Sequence, residues 1–323
     1  MRRSVNILMV GIALCACGYP QDAHAQRRKS REVKMLRPPA AYRAPATTRP
    51  ATIQGTPVSP NLRQLYERTE TRFRSAVFYK PRDRTGTAEE RKFAVVIAQE
   101  TPSTRDIPNH LRIGAIEKDE EGRWTVDTSR PTVYTAESFV ILGNTYCAQR
   151  IHIWAYPAPD GKGAIWRGVR TTYGPTNYPL VWELLTADGQ PTVMFVSKTF
   201  EKAAEREYGR PLSGRRASAE RGLDEHPNLV VARVLPDGAE PMGPVVYVDA
   251  TAYVPTTVLC RCMSPQTAQY VEKPEYEILP LDILGDVQVA ADGPFRLIRS
   301  STPPESSADR PWIEQALRCP QRF

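Results

Sequence analysis

The residues best equipped for chemistry are few and scattered. Cys147 and His152 bring a thiol near an imidazole, the raw material of a nucleophile and its base. Asp224, Glu225 and His226 stand together before Pro227, a cluster able to bind a cation or move a proton. The third set suits recognition better than catalysis. His152, Trp154 and Tyr156 alternate, with Trp166, Arg167 and Arg170 following, and on an extended strand the first three share one face. Open to solvent, that face stacks on sugar rings or partner side chains while the arginines engage anionic groups. Beneath a helix it is core.

Two functional expectations follow. The favoured one is a secreted or envelope-anchored, non-enzymatic binding or structural module that engages a polymer or protein partner through the aromatic and arginine face. The alternative is a periplasmic or extracellular hydrolase using carboxylates such as Glu183, Asp224 or Glu225 on a β-rich scaffold. There is no Gly-x-Ser-x-Gly elbow, no His-Glu-x-x-His and no phosphate-binding glycine loop before a lysine. No cofactor is expected.

The N-terminus sets the compartment. Arg2 and Arg3 precede an apolar run from Val5 to Cys17, then Gly18-Tyr19-Pro20 and Ala23-His24-Ala25. This is the layout of a signal peptide over residues 1–25, and its apolar run of 13 residues is too short for the roughly 20 of a stable membrane span. Cleavage before Gln26 releases the chain. Leu14-Cys15-Ala16-Cys17 also resembles a lipoprotein box, which would place a lipid on Cys17 and make that lipid the only membrane contact. Both routes predict export.

Export favours disulfides, and Cys147, Cys260, Cys262 and Cys319 are even in number. If extended, Cys260 and Cys262 lie about 6.5 Å apart on one face, too far to bond each other without strain. The expectation is that they bridge to Cys147 and Cys319. Zinc held by Cys260, Cys262, Cys147 and His152 has suitable residue types but lacks the usual gap between paired cysteines, so no metal is expected.

The net charge of +7 is concentrated near the start. From residue 50 onward 33 basic side chains face 34 acidic ones, which argues against a nucleic-acid-binding body. Residues 26–58 are rich in Pro, Ala, Thr and Arg without apolar periodicity, the composition of a disordered basic linker. Residues 59–323 then make one globular domain.

The strongest folding signal lies in the middle of that domain. Ile151 to Tyr156 and Ala164 to Thr172 flank Asp160-Gly161, and Leu180 to Leu185 and Thr192 to Val196 flank Asp188-Gly189. These read as two successive β-hairpins. Further strands are expected at 93–98, 113–127 as a hairpin, 139–142, 229–235, 245–250, 258–262 and around Asp292-Gly293. Helices are expected near 60–77, 199–208 and 310–318, and the basic loop 210–221 reads as mobile and protease-sensitive. The fold class predicted is α+β and β-dominated, a mostly antiparallel sheet built from hairpins with about three flanking helices.

Overall fold

The computed structural model describes residues 60–70, 75–102, 106–161, 163–186, 192–259, 274–289 and 312–323, all within one compact unit, Gln54–Phe323. The expected signal peptide, the linker, Cys17, Cys260, Cys262 and the Asp188-Gly189 and Asp292-Gly293 turns lie outside the described residues.

The chain opens with helix α1 (Pro60–Arg68), strand β1 (Ala76–Pro81), helix α2 (Ala88–Phe93) and strand β2 (Val96–Glu100). A small hairpin of β3 (Ala115–Lys118) and β4 (Trp124–Asp127) leads into the meander β5 (Thr132–Leu142), β6 (Thr145–Pro157), β7 (Ala164–Tyr173), β8 (Pro179–Leu185) and β9 (Val193–Ser197). Helix α3 (Lys198–Tyr208) follows, then β10 (Val230–Leu235), β11 (Val245–Val248), β12 (Pro255–Leu259), β13 (Glu275–Pro280) and helix α4 (Trp312–Ala316).

Apart from β3 and β4, all these strands form one 11-stranded sheet in the order β10-β9-β8-β7-β6-β5-β13-β1-β2-β11-β12. The β-dominated, mostly antiparallel α+β fold is therefore present, and both central hairpins form where their sequences place them. Four junctions are parallel: β10 with β9, β11 with β2, β13 with β5 and β13 with β1. Short hairpin connections do not dictate these; each joins segments separated by a crossover.

The sheet curls. One buried cluster contains Trp182 and Phe195 from β8 and β9 together with Val246 and Val258 from β11 and β12, strands near opposite ends of the sheet order. Only a rolled sheet brings both ends to a common concave core. The convex face carries three further clusters, one under α3 and α4, one against the β3–β4 hairpin and one on β1, β2 and β11.

Several local expectations are corrected. The first helix stops at Arg68 instead of running to 77: the Thr69 hydroxyl bonds back to the Tyr66 carbonyl, and Ala76 and Val77 enter β1 opposite Glu100 and Gln99. Val77, Phe78 and Tyr79 are β-branched or aromatic and gain more from a paired strand than from a helix. Ile283 to Val289, expected as a strand before Asp292-Gly293, lies instead in 3₁₀ turns over Leu281–Val289 kinked at Gly285. The 210–221 loop is bonded down, not loose. Glu201 accepts from the amides of Ser218 and Ala219 at 2.6 and 3.1 Å, and Arg215 donates to the carbonyls of Leu229, Gly222 and His226.

Helix α3 follows its sequence closely. The Ser197 side chain caps Phe200 N at 3.1 Å, and Gly209 ends the helix at φ 79°, a conformation that a side chain would strain. Helix α2, not foreseen, starts at a capping box in which Thr87 and Glu90 bond each other's backbone amides.

Candidate ligand-binding site

Strand alternation divides the six recognition residues between two faces. His152, Trp154, Tyr156 and Arg167 point into the curl, whereas Trp166 and Arg170 lie on the convex side. They do not form one surface. Nor is any part of the aromatic set a solvent-exposed platform: His152, Trp154, Tyr156 and Trp166 are all buried. Trp154 donates its indole N–H to the Tyr156 hydroxyl at 3.1 Å, which donates to Gln99 Oε1 at 2.5 Å. These polar atoms satisfy one another inside the core, and the covering strands β2 and β11 remove the face from solvent.

The catalytic expectations separate in the same way. Cys147 belongs to the convex cluster and His152 faces the concave side, so the thiol and imidazole are not partners and do not join in a zinc site. Burial pushes the Cys147 thiol up to about 11, which keeps it protonated. Among the described residues no three His, Cys, Asp or Glu side chains gather as a metal site. Cys147 and Cys319 are free thiols buried in one apolar cluster, so the expected bridges at these two positions are not formed.

Glu183 is committed elsewhere. Both of its oxygens accept from Arg170 at 2.6 Å, and the pair is almost wholly buried on the convex face. Of the other proposed carboxylates, Glu225 pairs with Arg221 at 2.9 Å and Asp224 is exposed. His226 sits edge-on to Trp312. The three acidic residues meet three different environments.

Two cavities open instead at a seam where, among the described residues, the two ends of the curled sheet do not pair. Strands β10 and β12 are its two ends, and α1 lies between them. The Thr69 carbonyl, one of those left unpaired beyond the helix, accepts from Arg233 of β10 at 3.0 Å and from the Thr257 hydroxyl of β12 at 2.6 Å. Tyr66 donates to the buried Glu220 at 2.7 Å, and Glu220 also accepts from the amides of Val231, Arg216 and Ala217. Burial lifts the Glu220 carboxyl above its usual range even against these four donors.

Two cavities flank this seam and share Arg68 and Thr256. The first, about 440 Å³, has an apolar floor of Leu65, Leu184, Val193 and Val254, with Arg68 and Arg167 above it and the side chains of Thr69, Thr186, Thr192 and Thr256 around it. The second, about 540 Å³, is lined by Glu67, Glu70, Glu100 and Asp249 together with Arg68. Positive and negative halves thus meet at one exposed guanidinium.

The floor of the first cavity is held by a turn. Asp249 accepts from the amides of Thr251, Ala252 and Val254 at 2.8, 2.7 and 3.2 Å, fixing the β11–β12 connection. Tyr253 takes φ 55° within it, and the carbonyls of Tyr253 and Ala252 accept from Arg167 at 2.6 and 3.0 Å. The turn therefore fixes the guanidinium.

Of the residues singled out by sequence, only Arg167 lines this site. Arg68, Thr69 and Thr256 carry no motif and escaped notice; the one available signal was an arginine on the polar side of an amphipathic helix. Comparison with protein-family models, with curated proteins and with solved structures finds no match for this chain.

Proposed function

We propose that this chain is an exported binding module that grips a segment of a protein partner at the seam beside α1. The segment carries an apolar side chain next to a carboxylate. The observation behind this reading is Arg68, exposed and shared between a cavity with an apolar floor and a cavity lined by acids. Leu65, Leu184, Val193 and Val254 suit an aliphatic side chain, Arg68 and Arg167 suit its neighbouring carboxylate, and Glu67 and Glu70 suit a basic residue further along. Among the described residues that line the first cavity none is aromatic, which favours a peptide over a sugar polymer. Export rests on the N-terminal residues, whether the chain is released after Ala25 or held by lipid at Cys17. The hydrolase reading loses Glu183 to Arg170.

Fluorescence anisotropy with labelled short peptides pairing Leu or Val with Glu or Asp tests the proposal. Saturable binding is expected to weaken about tenfold or more in Arg68→Glu and to fall with added salt, as for a partly exposed charge contact. If no peptide of this class binds, or if binding survives Arg68→Glu unchanged, the reading is wrong.

A further inference from the structure

We propose that the β5–β6 hairpin is a homodimerisation surface, on which β5 of one copy pairs antiparallel with β5 of a second copy about a two-fold axis at Val140. The surface is remote in sequence from the seam and stands independently of the peptide reading.

The first observation is an open strand edge. β13 accompanies β5 only as far as Thr135, where Pro280 is its partner, and the chain then turns into the 3₁₀ segment that packs Leu281 and Leu284 in one cluster with Ala136. From Glu137 to Leu142, β5 keeps β6 on one side, and among the described residues no strand pairs with it on the other. Such an edge is a template for another strand, and proteins usually blunt it with Lys, Pro or a bulge. None is present. Residues 136–142 read Ala-Glu-Ser-Phe-Val-Ile-Leu, and pairing with β6 runs unbroken from Tyr134↔Ile153 to Leu142↔Thr145. Its single charge, Glu137, is matched by Arg150 at 2.9 Å.

The second observation is apolar exposure on the same hairpin. Phe139, Ile141 and Tyr146 are 56%, 59% and 61% exposed. Ile141 lies directly across from Tyr146, and the rings of Phe139 and Tyr146 stack at 5.1 Å. They cannot simply roll inward, because Val140, Leu142 and Cys147 on the opposite face are already buried under the C-terminal segment. Three large apolar side chains are thus held in the open beside an unpaired backbone edge.

A second copy fits this edge because the segment is its own complement. A two-fold axis at Val140 sets Phe139 against Ile141 of the second copy and Ser138 against Leu142, and the pairing ends there because the Gly143 amide already donates to Glu314 at 2.6 Å. Antiparallel pairing keeps side chains of one parity on one face, so the apolar residues of both copies merge into one patch. No like charges oppose each other. Moving the axis to Phe139 would set Glu137 against Ile141, so one register is favoured. Strand pairing and three apolar side chains per copy fall below the roughly 800 Å² per partner of a stable complex, so the dimer is weak and concentration-dependent.

Sedimentation of the full chain across a wide concentration range, with hydrogen exchange read at residues 138–142, tests the proposal. The native chain is expected to dimerise reversibly, with slower exchange at these amides as concentration rises. Ile141→Lys and Phe139→Lys alter exposed positions, so both should melt as the native chain does while weakening the dimer by about tenfold or more. A native chain that stays monomeric at millimolar concentration overturns the proposal. So does a dimer untouched by both substitutions, or one that forms without added protection at 138–142.

Discussion

Arg170 and Glu183 show how residue chemistry and residue role part company. By type they are a binding cation and a catalytic acid; in place they are a bidentate pair under the convex clusters. Removing one partner leaves the other charge buried, so Arg170→Ala is predicted to cost about 3–5 kcal/mol. The double change Arg170→Met with Glu183→Leu should recover most of that, because two apolar side chains leave no charge to solvate. Denaturant midpoints measure both, and a loss below about 1 kcal/mol in Arg170→Ala would mean that water reaches Glu183. Sequence could say that Arg170 and Trp166 share a parity opposite to Arg167 on the same strand. It could not say that both faces are covered, because covering depends on segments far along the chain. The site residue Arg68 was illegible for the converse reason: an arginine at a helix end looks like any solvated charge until two cavities meet beside it.

At the scale of elements, α1 acts as the staple of an incomplete barrel. Its amphipathic sequence announced a packed face, but not that the Thr69 carbonyl just beyond it would tie the two end strands together. Tyr66→Phe deletes a hydrogen bond to a buried carboxylate and is predicted to cost about 1.5–3 kcal/mol. Thr257→Val deletes a neutral donor and should cost about 1 kcal/mol. Both losses should appear locally as faster amide exchange at Val231 and Val258, on β10 and β12, before exchange rises in β6 and β7. A uniform rise across the sheet would show that α1 supports the core generally and not the seam. The hairpins were legible because turn and flanking strands lie within one short window. The β13 strand was not, because its partners, β1 and β5, are far away in sequence.

Across the whole molecule, strand order conflicts with chain order in a way that governs folding. The C-terminal β13 sits between β5 and β1, and β2 is flanked by β1 and the late strand β11. The first half of the chain therefore cannot complete its sheet alone, although the meander β5 to β9 is continuous in sequence. Its concave face would lie open, since Val246, Val258 and Tyr276, which complete the same core, come from late strands. Pairings of this kind also close long loops before they gain contacts, which places folding in the slow range typical of non-local β topologies. The described body is thus predicted to unfold in a single transition, with far-ultraviolet circular dichroism and tryptophan fluorescence coinciding. A chain ended before residue 274 should lose this transition altogether instead of retaining a folded meander. Hydrogen exchange on that truncated chain decides the matter: native-like protection persisting in β6 to β9 would show that the meander is a domain in its own right and that β13 is an addition to it.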